Sequence, residues 1–251
     1  MNWKVFYACA TGKHHIDQNI PCQDYSCHEV RGGVFVGVVC DGAGTAKESQ
    51  VGAEFFARQV TALLSEAIAS GELLDDAPAG YRDCIESVLE KVRSRLGDLA
   101  ASQQHDLRDY ACTLVGCIAS RAGGCFFHVG DGFAVHQNMA GGAVLSHPEN
   151  GEYVNETYFA TDEDWKDHLR LTLLSNMDHG CFIGLMSDGS SSFAIDRLRT
   201  GFYKPFIDPV VTFLNTASEI NGNQALQNLL ENEKTFEITS DDKTLLLAFI
   251  S

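Results

Sequence analysis

The stretch Val34-Phe-Val-Gly-Val-Val-Cys40 leads directly into Asp41-Gly-Ala-Gly-Thr45. A continuous apolar run of this length predicts a β-strand that is buried on both faces. The two glycines break the strand, and apolar residues then recur at helical spacing over residues 49–69. This part of the chain therefore predicts a buried strand that ends at an aspartate and is followed by a helix.

Strand and helix patterns occur in blocks on either side of this stretch. Strands are predicted at residues 4–10, 24–30, 33–40, 112–120, 125–129, 133–137, 143–146, 181–186 and 244–250. Helices are predicted at 49–69, about 81–99, 206–218 and 223–231. This order lacks the strict alternation of a doubly wound parallel sheet, so it predicts an α+β fold. No linker or repeat divides the chain, and we expect one domain over residues 1–251 with a long loop at about 148–165.

Composition and charge exclude several classes of protein. The chain has 251 residues, of which 45% are hydrophobic, and this is enough for a sizeable core and rules out intrinsic disorder. Its net charge of −16 repels nucleic-acid phosphates and anionic lipid headgroups, so neither nucleic acid nor a membrane is an expected partner. The nine cysteines include no C-x-x-C motif and lie mostly in apolar segments, which predicts free thiols and a reducing, cytoplasmic location.

Aspartates stand at the ends of the predicted strands. Asp24 begins one strand, and four others mark the points where apolar runs stop or start, namely Asp41, Asp131, Asp188 and Asp241. If these strand ends converge, the carboxylates repel one another unless a hard divalent cation such as Mg²⁺ or Mn²⁺ binds between them. Glycine follows three of the aspartates, which would keep side-chain bulk away from such a cation and let a backbone carbonyl approach it. The competing interpretation is ordinary Asp-Gly turn chemistry at each strand end.

Short motifs follow one another along the chain. They are Gly12-Lys-His-His15 with Pro21-Cys-Gln-Asp24, Val39-Cys-Asp41-Gly42-Ala-Gly44, Ala111-Cys-Thr113-Leu, Val129-Gly-Asp131-Gly, Leu185-Met-Ser-Asp188-Gly189 and Asp241-Asp-Lys-Thr244. In type and order they resemble the motifs of the type 2C, metal-dependent serine/threonine protein phosphatases, the PPM family. The segment Pro-Cys-Gln-Asp and the run Gly151-Glu-Tyr-Val-Asn-Glu-Thr157 resemble a small bacterial branch of that family.

This resemblance implies a four-layer α-β-β-α sandwich, with two central, mainly antiparallel sheets and a binuclear Mn²⁺ or Mg²⁺ centre between them. It implies that Asp41 bridges both ions and that the Gly42 carbonyl binds one of them. Asp188 and Asp241 would complete the shell of the other ion. Asp24 would bind directly or through water.

The resemblance also implies a third, weaker ion site formed by Asp131 with Asp188. Catalysis would depend on Asp41, Asp188, Asp241 and His15, with a metal-activated water attacking the phosphorus. The implied substrate is phosphoserine or phosphothreonine in a protein. A cognate serine/threonine kinase is a further implied partner.

Three positions depart from the family pattern. Gln23 replaces the acidic residue that precedes Asp24, and it offers at best a neutral oxygen to an ion. Ala43 replaces the histidine of the Asp-Gly-His-Gly motif, the proposed proton donor to the leaving group. His15 takes the place of the phosphate-binding arginine if the spacing from Gly12 is kept, so it is either a phosphate ligand or a surface residue, and it is the first alternative proton donor. These departures leave a second hypothesis open: a catalytically impaired module of the same fold that binds a phosphorylated partner or senses a metal ion.

Overall fold

Two five-stranded sheets packed face to face form the centre of the computed structural model, which describes residues 2–71, 78–138, 140–149, 157–175 and 177–250. The first sheet has the order β1 (Trp3–Ala10), β10 (Lys243–Ile250), β9 (Phe182–Met186), β6 (Phe133–Gln137) and β7 (Ala143–Ser146). The second has the order β2 (Asp24–Arg31), β3 (Val34–Asp41), β4 (Leu114–Ser120), β5 (Gly123–Val129) and β8 (Arg170–Leu174). All neighbouring strands in both sheets are antiparallel.

Helices cover the outer faces of the two sheets. The second sheet carries α2 (Ser49–Ser70) and α3 (Pro78–Ser102), and the first carries α5 (Asp188–Ala194), α6 (Lys204–Thr216) and α7 (Glu219–Leu230). The short elements are α1 (Lys13–Gln18), α4 (Trp165–His168), α8 (Glu233–Phe236) and a 3₁₀ turn at Leu107–Tyr110. No helix within the described ranges is long and apolar enough to cross a membrane. The predicted α+β fold with four α-β-β-α layers is confirmed.

The apolar run of β3 follows from its position between two cores. Phe35 and Val39 point into the core between the two sheets. Val36, Val38 and Cys40 point to the opposite face, where they pack in the core beneath α2 and α3. Because successive side chains of a strand alternate between faces, burial of both faces requires every position to be apolar.

The sequence pattern does not predict β8, α1 or α5. β8 lies at the edge of its sheet and exposes Leu173, so its alternation is weak. The helices α1 and α5 have 6 and 7 residues, which is too short for a helical period to show. Asp188 begins the helix α5, which neither the metal-site hypothesis nor the competing Asp-Gly turn interpretation includes. Residues 150–156 of the predicted loop at 148–165 lie outside the described residues.

Candidate metal centre

The aspartates singled out from the sequence come together at one end of the two sheets. Asp24 and Asp41 are directly opposite each other in the register of β2 and β3. Asp131 comes shortly after β5, and Asp188 comes shortly after β9 of the facing sheet. Side-chain oxygens of Asp41, Asp131 and Asp188 all lie within 4.8 Å of one another. Strand pairing and sheet packing thus gather carboxylates that are far apart in the sequence.

A cavity of about 720 Å³ opens at this acidic cluster. Besides the three clustered aspartates, its lining includes His14, His15, Gln18, Gln23, Gly42, Ala43, Thr157 and Asp241. Asp24 is buried and is not among the lining residues. The volume is in the range of ordinary small-molecule sites.

Burial and mutual repulsion raise the pKa values of Asp41, Asp188 and Asp24. Burial, reinforced by the charges of Asp24, Asp188 and Asp131, raises the pKa of Asp41 well above its usual value. Burial, with the charges of Asp131 and Asp241, raises the pKa of Asp188 to about 6. Burial is also the main cause that raises the pKa of Asp24 to about 7. A divalent cation relieves such crowding, and these groups offer only oxygen, so the donor set fits Mg²⁺ or Mn²⁺.

Asp24 is held from the facing sheet. Ser187, the residue after β9, donates its hydroxyl hydrogen to Oδ2 of Asp24 at 2.6 Å. The other carboxyl oxygen, Oδ1, is buried and accepts no hydrogen bond from any described residue. Asp24 thus links the two sheets beneath the cavity and keeps one oxygen available for a water or an ion.

Gln23 also keeps an oxygen available at the cavity. Its side chain is buried, and Oε1 has no hydrogen-bond partner among the described residues. The backbone of Gln23 is fixed on both sides, because its N–H donates to Asp242 at 2.6 Å and its carbonyl accepts from the Gly42 N–H at 3.1 Å. A buried amide oxygen without a partner is costly unless something binds it. This orphaned oxygen is a second observation that fits a cation.

Backbone contacts hold Asp41 and Gly42 in place. The Asp41 N–H donates to Oγ1 of Thr113 at 3.1 Å, and the Thr113 N–H donates to the Asp41 carbonyl at 2.8 Å. A Cβ at Gly42 would stand 2.8 Å from the Ser49 carbonyl oxygen and 2.9 Å from the Gln23 carbonyl oxygen. The glycine after Asp41 is therefore required by close backbone approach, a reason that the sequence did not indicate.

Of the glycines that follow an aspartate, Gly189 has the least space for a side chain. A Cβ there would stand 2.0 Å from the Asp242 carbonyl oxygen. We expect Gly189→Ala to lower the free energy of unfolding by about 1–3 kcal/mol, because the backbone of either element must shift. Chemical denaturation of the cation-free protein measures this change.

The matched control is Gly97→Ala. Gly97 lies within α3, and a Cβ there would stand more than 4 Å from every atom outside its chain neighbours and the nearby backbone of its own helix. There we expect a gain of about 0.5–1 kcal/mol, since alanine restricts the unfolded chain and favours the helix. Equal effects of the two substitutions would contradict the crowding at Gly189.

Thr157 holds the third member of the acidic cluster. Its hydroxyl donates to Oδ2 of Asp131 at 2.7 Å. Residues 150–156, which include most of the run that resembles the bacterial branch, lie outside the described residues. Thr157 itself belongs to that run, but nothing in its sequence neighbourhood indicates that it touches Asp131.

Asp242 is a site residue that the sequence reasoning missed. It is buried, whereas the neighbouring Asp241 is exposed at the cavity. Its Oδ1 accepts the Gly12 N–H at 2.6 Å, and its Oδ2 accepts the Gln23 N–H at 2.6 Å. The same Oδ2 lies 2.9 Å from Nδ1 of His15. This carboxylate therefore fixes the segment that carries His15 against the wall of the cavity.

Comparison with known proteins adds a family and a set of relatives. Residues 11–231 match the family described as Protein phosphatase 2C. Serine/threonine-protein phosphatase 3 of Escherichia coli (strain K12) is 30% identical over 257 residues, covering 99% of this chain and 98% of the relative. A bacterial serine phosphatase has a similar fold, with a TM-score of 0.67 at 15% identity over 100% of this chain and 98% of that one. The S. agalactiae serine/threonine phosphatase gives a TM-score of 0.65 at 14% identity, over 100% of both chains.

Proposed function

Because this chain belongs to the protein phosphatase 2C family, we propose that it hydrolyses phosphoserine and phosphothreonine in proteins, at the acidic cavity between its two sheets. The observation that carries the proposal is the cluster of Asp41, Asp131 and Asp188, whose oxygens lie within 4.8 Å of one another at a cavity of about 720 Å³. Three carboxylates at this spacing repel a phosphate unless cations are bound, so the cluster and the reaction require the same ions.

The centre would hold two Mn²⁺ or Mg²⁺ ions, with a third and weaker site. Asp41 would bridge the two ions, the Gly42 carbonyl would bind one, and Asp188 with Asp241 would bind the other. Asp131 would share the third site with Asp188. When bound, the cations supply an activated water as the nucleophile and offset the charge on the phosphoryl oxygens.

The chain's own residues prepare the site for this chemistry. Thr113, the residue before the neighbouring strand β4, fixes the backbone of Asp41. Asp24 would reach an ion directly or through water with the oxygen that Ser187 leaves free. His15 lines the cavity, where it can meet the phosphoryl group or the leaving oxygen.

The substrate is a phosphorylated protein, and a cognate serine/threonine kinase that makes it is a further partner. The net charge of −16 disfavours nucleic acid and anionic membranes as partners. The nine free cysteines fit a reducing cytoplasm as the location.

The test of the proposal is release of inorganic phosphate from a phosphoserine peptide by the full-length protein, with Mn²⁺ present. Turnover supports the phosphatase. The second candidate function is a catalytically impaired module that binds a phosphorylated partner or senses a metal ion, and it is favoured by Gln23 and Ala43. Binding of the phosphopeptide without turnover would establish that module and overturn the enzyme.

Gln23 is a neutral candidate ligand, so a substitution there can change the charge of the proposed metal centre by one unit. Gln23→Glu adds a negative charge at an oxygen that has no partner among the described residues. We expect the Mn²⁺ concentration for half-maximal activity to fall roughly tenfold, because cation affinity rises with ligand charge. Titration of activity with Mn²⁺, together with calorimetric Mn²⁺ binding, measures the change.

Gln18→Glu is the matched control, because Gln18 lines the same cavity but is exposed on α1. Its charge is screened by water, so the Mn²⁺ requirement should stay within about twofold of the wild type. If both substitutions shift the requirement equally, Gln23 has no special relation to the ions.

A further inference from the structure

Hydrolysis of a phosphoserine releases a serine oxygen that must take up a proton. The clustered aspartates are poor donors for this step, since a carboxyl that binds a cation must be deprotonated. Apart from carboxyls, the ionisable side chains among the described lining residues are the imidazoles of His14 and His15. One of these two histidines is therefore the candidate proton donor to the leaving group.

The two imidazoles are held very differently. The side chain of His15 is 15% exposed, and its Nδ1 is 2.9 Å from Oδ2 of Asp242. No described residue hydrogen-bonds to its Nε2. His14 is exposed, and its Nε2 is 3.1 Å from the amide nitrogen of Gln18 on the protein surface. Only His15 combines a fixed ring with a ring nitrogen left for a substrate.

Asp242 determines which ring nitrogen of His15 remains available to a substrate. A carboxylate only accepts hydrogen bonds, and Asp242 already accepts the backbone N–H groups of Gly12 and Gln23. Nδ1 of His15 must therefore donate to Asp242, so Nε2 is the nitrogen available to the cavity. The same logic of a carboxylate that orients an imidazole operates in hydrolase triads.

We propose that His15 donates the proton to the leaving oxygen through Nε2, and that Asp242 is the positioning residue that orients it. The ring begins as an imidazolium with hydrogens on both nitrogens. As the bond from phosphorus to the serine oxygen breaks, its electron pair stays on that oxygen, which takes the proton from Nε2. The attacking water gives one of its protons to solvent, and its oxygen forms the new bond to phosphorus. The ring is left neutral with Nδ1–H still bound to Asp242, and Nε2 regains a proton from solvent before the next turnover.

The inference rests on the proposed phosphatase function, and its test uses the leaving group. An alkoxide needs a proton, whereas 4-nitrophenolate leaves without one. We expect His15→Ala to lower kcat on a phosphoserine peptide by about 10²-fold or more, and to change kcat on 4-nitrophenyl phosphate by less than roughly threefold. His179→Ala, at an exposed histidine outside the lining of this cavity, is the control and should change neither rate. Equal losses of His15→Ala on both substrates would overturn the donor role.

The positioning role of Asp242 is tested by a double-mutant cycle. Asp242→Asn has one accepting oxygen for three donors, so it cannot keep both backbone contacts and the His15 contact. We expect it to reproduce most of the selective loss on the phosphopeptide, and to add nothing to that selectivity in the His15→Ala background. Circular dichroism and thermal melts check that each variant is folded. If the two substitutions lower phosphopeptide turnover independently, so that their effects multiply in the double variant, the positioning of His15 by Asp242 is overturned.

A measurement on the wild-type protein tests whether Asp242 orients His15, even if Asp242→Asn does not fold. Long-range proton–nitrogen NMR should show that Nδ1 of His15 carries a hydrogen. A bare Nδ1 with hydrogen only on Nε2 would overturn the orientation by Asp242. Failure of the proposed phosphatase function can be distinguished from failure of the His15 proposal. In the first case the wild type would release no phosphate from either substrate with Mn²⁺, whatever the NMR result.

Discussion

Chelation of divalent cations is expected to abolish phosphate release by this protein, and added Mn²⁺ should restore the activity at least as well as Mg²⁺. Burial, reinforced by the charges of neighbouring carboxyls in the cluster of Asp41, Asp131 and Asp188, raises the pKa values of Asp41 and Asp188. Without cations the cavity repels a phosphate dianion, and no activated water is present. Because these groups offer oxygen alone, hard cations are the ones that they bind.

The measurement is phosphate release from a phosphoserine peptide after exhaustive chelation, followed by return of each cation. Thermal unfolding gives a readout besides activity. At a Mn²⁺ concentration of about 100 times Kd, each ion that binds only the folded state should stabilise it by about 2.7 kcal/mol. A monovalent salt such as KCl at the same ionic strength is the control for screening of charge. Activity that survives chelation would contradict the binuclear centre.

Asp188→Asn is expected to lower activity by roughly 10²-fold or more, because residues outside the ligand shell of a metal already cost 10–100-fold when changed. The substitution removes a carboxylate that would serve both the binuclear centre and the third site. Asn keeps the shape of the side chain and the start of α5. Rates with a phosphoserine peptide at saturating Mn²⁺ measure the loss.

The same variant should be at least as stable as the wild type when no cation is bound. The pKa of Asp188 is raised to about 6 in the folded protein, mainly by burial and then by the charges of Asp131 and Asp241. A raised carboxyl pKa means that ionisation destabilises the folded state, so the benefit of Asn is full above pH 6 and fades as the pH falls towards the ordinary value of about 4. Denaturation at pH 8 and at pH 4 tests this sign.

Asp208→Asn is the control, since Asp208 is exposed on α6 and lies outside the lining of the acidic cavity. It should leave activity unchanged and stability within about 0.5 kcal/mol. If Asp188→Asn unfolds the protein while activity per folded molecule is unchanged, then Asp188 is a structural residue at the start of α5.

The main strands and long helices could be predicted because their patterns repeat within a few residues. β3 is apolar from Val34 to Cys40, and α2 carries an apolar stripe along its 22 residues. β8 could not be predicted in this way, because an edge strand exposes part of one face and loses its alternation. The helices α1 and α5 are shorter than the window in which helical spacing becomes visible.

The sequence by itself determined the α+β class, the strand ends and the aspartates that stand there, because burial and turn chemistry act locally. Only the tertiary structure decided which of these groups meet. Ser187 bonds Asp24 across 163 positions, and His15 bonds Asp242 across 227. Such pairs depend on which strands are neighbours and how the sheets face each other. Patterns that repeat every two or four residues carry no information about contacts at that separation.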